Sequence, residues 1–168
     1  VNCTTPANDL PLPRRQFFRP STKPRVIFTP TSRLRHPRCV SDIADFAKGG
    51  FKEVIDDHTA DTKKITKVVF CNGKIYYDLL EEKEKLKNES LALIRIEQLF
   101  PLPKKQLREL IAKYSKTETW LWVQEEPYNM GAWPYIHLEF KDVELKVIAR
   151  PSSGSPSTGS SKFHFVRQ

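Results

Sequence analysis

The sequence predicts an α/β fold with three layers, in which a mainly parallel sheet lies between helices on both of its faces. The continuous apolar run Val68–Cys71 predicts a strand that is buried on both faces, and Leu91–Ile96 and Trp120–Val123 predict two further strands. The stretches 74–87 and 104–114 between them carry apolar residues at helical spacing. Because strands and helices alternate, we expect parallel strands joined by helical crossovers.

The N-terminal part is expected to be less regular. Its prolines exclude a long helix from residues 1–24, and the apolar run Arg25–Thr29 predicts a short buried strand. A short helix is predicted over residues 41–47, with Ser41 as its N-cap. Residues 51–55 alternate between apolar and polar positions and predict a further strand.

The C-terminal part is expected to complete the sheet. Residues 130–139 predict a short aromatic helix, and Leu145–Ala149 predicts the last strand. Ser, Gly and Pro dominate residues 151–161, which predicts a loop.

Composition narrows the class of protein. Hydrophobic residues make up 39% and charged residues 29% of 168 residues, as expected for one compact globular domain. No apolar run approaches the roughly 20 residues of a membrane span, so no membrane partner is predicted. The net charge is +8. Outside the basic N-terminal segment, however, cations alternate with acids, as in Glu81–Lys85, which argues against a nucleic-acid partner.

No catalytic or metal-binding motif emerges from the sequence. The three cysteines, Cys3, Cys39 and Cys71, are widely separated and have no metal-ligand spacing. The four histidines are scattered, and no nucleophile elbow is present. We therefore predict reduced thiols, no metal site and no catalytic residue in this stretch. The chain has no initiator Met, which indicates a piece of a longer protein or a processed chain.

Polar side chains gather where the predicted parallel strands end, which is where ligands bind in such sheets. The turn after the first buried strand holds Asn72, Gly73 and Lys74, and further polar residues follow on the next two strands. The candidates for an anion-binding site or a polar network are Asn72, Lys74, Arg95, Glu97, Glu125 and Glu126.

Two interpretations of these candidates stay open at the level of sequence. Residues 72–74 could bind an anion at a helix N-terminus, but a single glycine also fits a simple tight turn capped by Asn72. Arg95 and Glu97 lie two apart on a strand and face the same side. With Glu125 or Glu126 they would form either a rigid joint or the floor of a binding site.

Several short stretches occur together in an order that resembles one family. They are Val1–Asn8, Arg14–Gln16, Val26–Pro30, Leu34–Pro37, Gly73–Leu79, Ile94–Leu99, Gln124–Pro127, Gly131–Trp133 and Arg150-Pro151. This ordered set resembles the C-terminal region of the thiamine-dependent decarboxylating component of 2-oxoglutarate dehydrogenase, a transketolase-like family. The resemblance implies a fold similar to the transketolase C-terminal domain. It also implies that residues 1–30 are the irregular end of a pyrimidine-binding domain, followed by a C-terminal α/β domain over 31–168.

The resemblance also implies a function. The full-length enzyme would be the succinyl-transferring oxidoreductase of the tricarboxylic acid cycle, with thiamine diphosphate and magnesium held by upstream domains. The present residues would bind no cofactor, carry no catalytic residue and support subunit assembly. Implied partners are the upstream domains, a second copy in a homodimer and the lipoyl-bearing succinyltransferase. The implied location is the cytoplasm in a bacterium or the mitochondrial matrix in a eukaryote.

The sequence departs from the family pattern in the stretch before Arg14, where Pro11 and Pro13 are expected to break a helix. A second hypothesis comes from Lys74, Arg95 and the basic N-terminal segment. It makes the chain a regulatory module that binds an anionic metabolite, a nucleotide or an acyl-CoA, at the carboxyl edge of the sheet.

Overall fold

The structure, a computed structural model, describes residues 2–20, 23–28 and 30–160. Its five strands are β1 (Val54–Ile55), β2 (Lys67–Cys71), β3 (Leu91–Ile96), β4 (Thr119–Pro127) and β5 (Leu145–Arg150). They form one sheet in the order β1-β3-β2-β4-β5. Strands β2 to β5 are parallel, and only β1 runs antiparallel, at the edge beside β3.

Helices cover both faces of this sheet, as the sequence predicts. The described helices are α1 (Pro6–Asp9), α2 (Pro11–Phe17), α3 (Thr31–Leu34), α4 (Ile43–Ala47), α5 (Ile75–Lys85), α6 (Lys104–Lys113) and α7 (Trp133–Glu139). Helix α5 packs on one face of the sheet, and α6 and α7 pack on the other. The three-layer α/β prediction is therefore confirmed. Within the described stretches, no helix has the length and apolar character needed to cross a membrane.

The central strand β2 explains why its sequence is apolar without interruption. Val68 and Phe70 point into the larger core, which α6 and α7 close. Val69 and Cys71 point into the smaller core beneath α5. Because alternate side chains of a strand face opposite sides, a strand covered on both faces needs apolar residues at every position.

The prediction of a strand over Arg25–Thr29 is wrong for residues 25–28, which form no strand. Thr29 lies outside the described residues. Val26 and Phe28 are mostly exposed and belong to no strand. The Arg25 guanidinium donates to the Leu12 carbonyl and, at 2.8 Å, to Gln16 Oε1. This segment is therefore tied to α2, away from any sheet edge that could pair with it.

The prediction that the N-terminal segment is irregular is also wrong for the described residues, because they include the short helices α1 and α2. The predicted break does occur, at Leu10 between the two helices. Pro6 and Pro11 then stand at the first position of each helix. The first turn of a helix has N–H groups without intrahelical partners, so a proline there removes no helical hydrogen bond.

Two element boundaries also differ from prediction. Asp42, not Ser41, caps α4: its Oδ1 accepts from the Ala44 amide at 2.8 Å. The Ser41 hydroxyl instead accepts from the Ala7 amide at 3.1 Å. The strand predicted over 51–55 is reduced to β1, because the backbone of Lys52 pairs with a side chain from α1.

A buried ion pair completes the edge of β3 beyond the short strand β1. The Leu93 amide donates to Asp57 Oδ2 at 3.1 Å, and Lys83 Nζ on α5 lies 2.6 Å from the same oxygen. Thr59 Oγ1 donates to Asp57 Oδ1 at 2.7 Å. Burial alone raises the pKa of Asp57, but the hydrogen bonds from Lys83, Thr59 and Leu93 outweigh it. The pKa therefore lies below its ordinary value of 3.8.

Asp57→Asn is expected to lower the free energy of unfolding by about 3 kcal/mol at pH 7, because it leaves Lys83 buried without its counter-charge. A lowered folded-state pKa stabilises the fold above the unfolded value and loses that effect as pH falls through the folded value. The difference between wild type and variant should therefore shrink below about pH 3.8. Urea unfolding from pH 7 to pH 3 measures it. A difference that stays constant over that range would contradict the account. Glu89→Gln, in an exposed pair with Lys64, is the control and should match wild type.

Candidate functional site

The chain's own N-terminal segment covers the carboxyl end of β3. Glu97 follows β3, and its Oε2 accepts a hydrogen bond from the Thr4 amide at 2.9 Å. The Thr4 hydroxyl donates to Oε1 of the same carboxylate. Asn8 Nδ2 in α1 donates to Oε2 at 3.2 Å. Three donors from residues 4–8 thus converge on one carboxylate.

Thr4 is fully buried, and each of its polar groups has a partner. Besides its two bonds to Glu97, its carbonyl accepts from the Tyr77 hydroxyl on α5. Its Oγ1 also accepts from Arg95 Nη1 at 3.0 Å. Burial raises the pKa of Tyr77, which keeps that hydroxyl protonated and able to donate. The guanidinium of Arg95 in turn lies 4.1 Å from the ring centroid of Tyr76, a cation–π contact.

Asn8 fixes the other end of the segment through two hydrogen bonds to one residue. Its Nδ2 donates to the Lys52 carbonyl at 3.0 Å, and its Oδ1 accepts from the Lys52 amide at 2.9 Å. Its side chain is almost fully buried. An amide side chain offers one donor side and one acceptor side, so it can satisfy both backbone groups of an extended residue.

The turn after β2 lies directly beneath this segment. Gly73 has a φ of +71°, and a Cβ there would lie 2.7 Å from Asn2 Nδ2. The backbone conformation therefore favours glycine here, and the end of the Asn2 side chain occupies the space that a Cβ would need. The tight turn is confirmed, but the cap is wrong: α5 has Lys74 at its N-cap, without a side-chain cap. Asn72 makes no side-chain hydrogen bond to the described residues and lines a neighbouring cleft.

The six predicted site residues fall into separate groups. Arg95 and Glu97 meet at Thr4, whereas the Lys74 ammonium forms a half-buried ion pair with Glu125. Glu126 makes no side-chain hydrogen bond or ion pair with the described part of the chain. Arg95 and Glu97 therefore act as a joint that holds a peptide segment.

Sequence reasoning missed the other half of this joint. Thr4, Asn8 and Tyr77 were not site candidates, because their partners lie far away along the chain. Arg33 is also almost fully buried and donates to the Cys3 carbonyl and, at 2.7 Å, to Asn2 Oδ1. A single sequence carries no signal for such pairings, since Thr4, Asn8 and Arg33 stand in proline-rich or loop-like stretches and Tyr77 looks like an ordinary aromatic residue of the predicted helix 74–87.

Gln124 is a second buried polar centre, and its role is structural. Its Oε1 accepts from Trp122 Nε1 at 2.9 Å and from the Trp133 amide at 3.0 Å. Its Nε2 donates to the carbonyls of Met130 at 2.7 Å and Pro127 at 3.1 Å. The amide group of Gln124 therefore holds the connection between β4 and α7 in place.

A cleft of about 480 Å³ opens between α2, residues 23–28 and the end of β3. Four cations line it, namely Arg15, Arg19, Lys23 and Arg25. Its one lining carboxylate, Glu97, already accepts hydrogen bonds from Thr4 and Asn8. The cleft is therefore electropositive, and its charge comes from the N-terminal segment more than from Lys74 or Arg95.

Over the ranges that the structure describes, no group of three or more His, Cys, Asp or Glu side chains is placed to hold a metal ion. Burial raises the pKa of Cys71 to about 12, and burial also raises the pKa of Cys3. Both thiols are therefore protonated at neutral pH.

Glu97→Gln is expected to lower the free energy of unfolding by about 2–3 kcal/mol, because an amide offers one acceptor oxygen where Thr4 and Asn8 need two. Glu126→Gln makes the same change of charge near the carboxyl end of β4 and should leave stability within about 0.5 kcal/mol of wild type. Urea unfolding followed by tryptophan fluorescence measures both. Equal effects of the two variants would contradict the assigned role of Glu97.

The chain matches one family model and several curated proteins. The family model described as 2-oxoglutarate dehydrogenase C-terminal matches residues 40–168. The "Multifunctional 2-oxoglutarate metabolism enzyme" of Mycobacterium sp. (strain KMS) is 42% identical over 176 residues, covering 98% of this chain and 14% of that protein. The "2-oxoglutarate dehydrogenase E1 component" of Rickettsia felis is 42% identical over 175 residues, covering 98% of this chain and 18% of that protein.

The chain thus spans less than a fifth of the length of these curated relatives. The similarity nevertheless covers 98% of the chain and therefore extends over most of residues 1–39, which lie before the family match. Because the family model matches more than half of its residues, the chain belongs to the 2-oxoglutarate dehydrogenase C-terminal family.

Proposed function

We propose that this chain is the assembly domain at the C-terminal end of the decarboxylating component of a 2-oxoglutarate dehydrogenase. The whole protein would be a succinyl-transferring oxidoreductase of the tricarboxylic acid cycle. The observation that carries the proposal is the match of 98% of the chain to one small part of a 2-oxoglutarate dehydrogenase E1 component.

The surface of the N-terminal half supports an assembly role. Many large apolar side chains are exposed within residues 10–46, with Phe17 90% and Ile43 85% accessible. The others in this range are Leu10, Phe18, Val26, Ile27, Phe28, Leu34, Val40 and Phe46. Extensive exposed apolar surface is typical of protein–protein contacts. In the proposed enzyme, the preceding part of the same polypeptide covers this surface, and residues 1–30 are the end of its pyrimidine-binding domain.

The cofactor and the remaining partners belong to the same proposal. Thiamine diphosphate and magnesium would be bound by the preceding domains and would supply the decarboxylation chemistry. The full-length enzyme would form a homodimer and transfer the succinyl group to a lipoyl-bearing succinyltransferase. It would act in the cytoplasm of a bacterium or in the mitochondrial matrix of a eukaryote.

A chimera tests this proposal: the matching segment of the Rickettsia felis protein is replaced by this chain. We expect thiamine-dependent release of CO₂ from 2-oxoglutarate by the chimera and none by the isolated chain. The double variant Phe17→Asp/Phe18→Asp should abolish the activity of the chimera, because it places charges in the covered surface. Leu138→Asp, on the exposed side of α7, is the matched control and should keep it. Activity in the isolated chain, or a folded but inactive chimera, would contradict the proposal.

The electropositive cleft favours a second candidate function, the binding of an anionic metabolite such as a nucleotide or an acyl-CoA. The structure places four cations around about 480 Å³ of open space. Two of them, Arg19 and Lys23, are exposed and make no side-chain hydrogen bond within the described residues. They are therefore available to phosphate groups.

Thermal unfolding with millimolar AMP or a CoA ester measures this binding, since a ligand that binds only the folded state raises the melting temperature. We expect a rise that Arg19→Glu/Lys23→Glu removes and Lys105→Glu/Lys116→Glu retains. The control pair makes the same change of charge at two exposed positions, Lys105 in α6 and Lys116 shortly after it. No rise at millimolar ligand, or an equal rise with inorganic phosphate alone, would contradict a metabolite site.

A further inference from the structure

The carboxyl end of an open parallel sheet is where small ligands bind in α/β proteins. Here that place is taken by residues 2–9 of the chain itself. The amide, hydroxyl and carbonyl of Thr4 and both atoms of the Asn8 amide group are each bound by a partner. Because a buried polar group is costly without a hydrogen bond, these partners hold the segment in one position.

Two groups of residues bind the segment. Arg33, Cys39 and Ser41 lie before Gly49. The other four lie after Gly50, and they are Lys52, Tyr77, Arg95 and Glu97. More contacts join the residues before Gly49 to those after Gly50. The Arg15 guanidinium lies 4.7 Å from the ring centroid of Phe51. The rings of His36 and Tyr77 lie 4.6 Å apart.

The connection between residues 2–48 and the later residues, Gly49-Gly50, makes none of these contacts. Gly49 and Gly50 are exposed, and a Cβ at either position would meet nothing within 4 Å. Exposed glycine connections of this kind accept insertion and cleavage without disturbing packed structure.

We propose that Lys52, Tyr77, Arg95 and Glu97 form a peptide-binding site whose ligand is this chain's own segment Asn2–Asp9. The segment binds by its contacts, and the polypeptide connection only raises its effective concentration. The biological role of this site rests on the proposed function: the segment would be the joint through which the preceding domains are held on the sheet.

Cleavage of the full chain tests the proposal. A site-specific protease sequence is inserted between Gly49 and Gly50, the protein is cleaved, and the two pieces are followed by size-exclusion chromatography and native mass spectrometry at micromolar concentration. We expect the pieces to stay together with an unchanged circular dichroism spectrum. Separation of the pieces, or loss of the fold on cleavage, would overturn the proposal.

Variants in the same cleaved protein identify the contacts. Glu97→Gln and Thr4→Val should each weaken the association at least tenfold, and Glu126→Gln should leave it unchanged. A synthetic peptide of residues 1–20 in excess should compete with the bound piece, and the same peptide with Thr4→Val should compete at least tenfold less well. Equal retention by all the variants, with equal competition by both peptides, would overturn the proposal. Neither assay involves the preceding domains, so a failure here leaves the proposed function standing, and a failure of the chimera leaves this site standing.

Discussion

The carboxylate of Glu97 is the constraint on which the N-terminal half of the structure depends. It stands directly after β3 and accepts from Thr4 and Asn8, which lie 93 and 89 residues away along the chain. Once Thr4 is fixed, Tyr77 and Arg95 complete its hydrogen bonds, and Asn2 comes to lie over the Gly73 turn. A charged acceptor strengthens each of these bonds relative to a neutral one. The helices α1 and α2 owe their place to this contact, because neither is long enough to be stable alone.

The sheet itself could be predicted from the sequence because its central strands are buried on both faces. Residues 68–71 are apolar throughout, residues 91–96 are apolar except for Arg95, and the helices between the strands begin and end near the predicted positions. The same criterion failed for Arg25–Thr29, whose apolar residues Val26, Ile27 and Phe28 are exposed. An apolar run indicates that its side chains are buried in the complete protein. It does not indicate whether a neighbouring strand or another part of the protein buries them.

The candidate site could be predicted only in part, and for a related reason. The rule that ligands bind where parallel strands end made Arg95 and Glu97 candidates, and in the structure both side chains bind Thr4. It did not reveal that the ligand is a segment of the same chain, since Thr4 and Asn8 look like ordinary loop residues in a proline-rich stretch. Lys74, predicted as an anion-binding cation, is paired with Glu125. The cations that remain open, Arg19 and Lys23, lie in the part of the sequence that was expected to be irregular.

Hydrogen exchange at the Thr4 amide tests most directly whether Glu97 holds this segment on the sheet. The amide donates to a carboxylate in a fully buried residue, so it should exchange only when the domain unfolds, as slowly as the amides of β3. The exposed Gly50 gives the rate of an unprotected amide in the same protein. A Thr4 amide as slow as that of Ile94 is the result that the account predicts. A Thr4 amide as fast as that of Gly50 would contradict it.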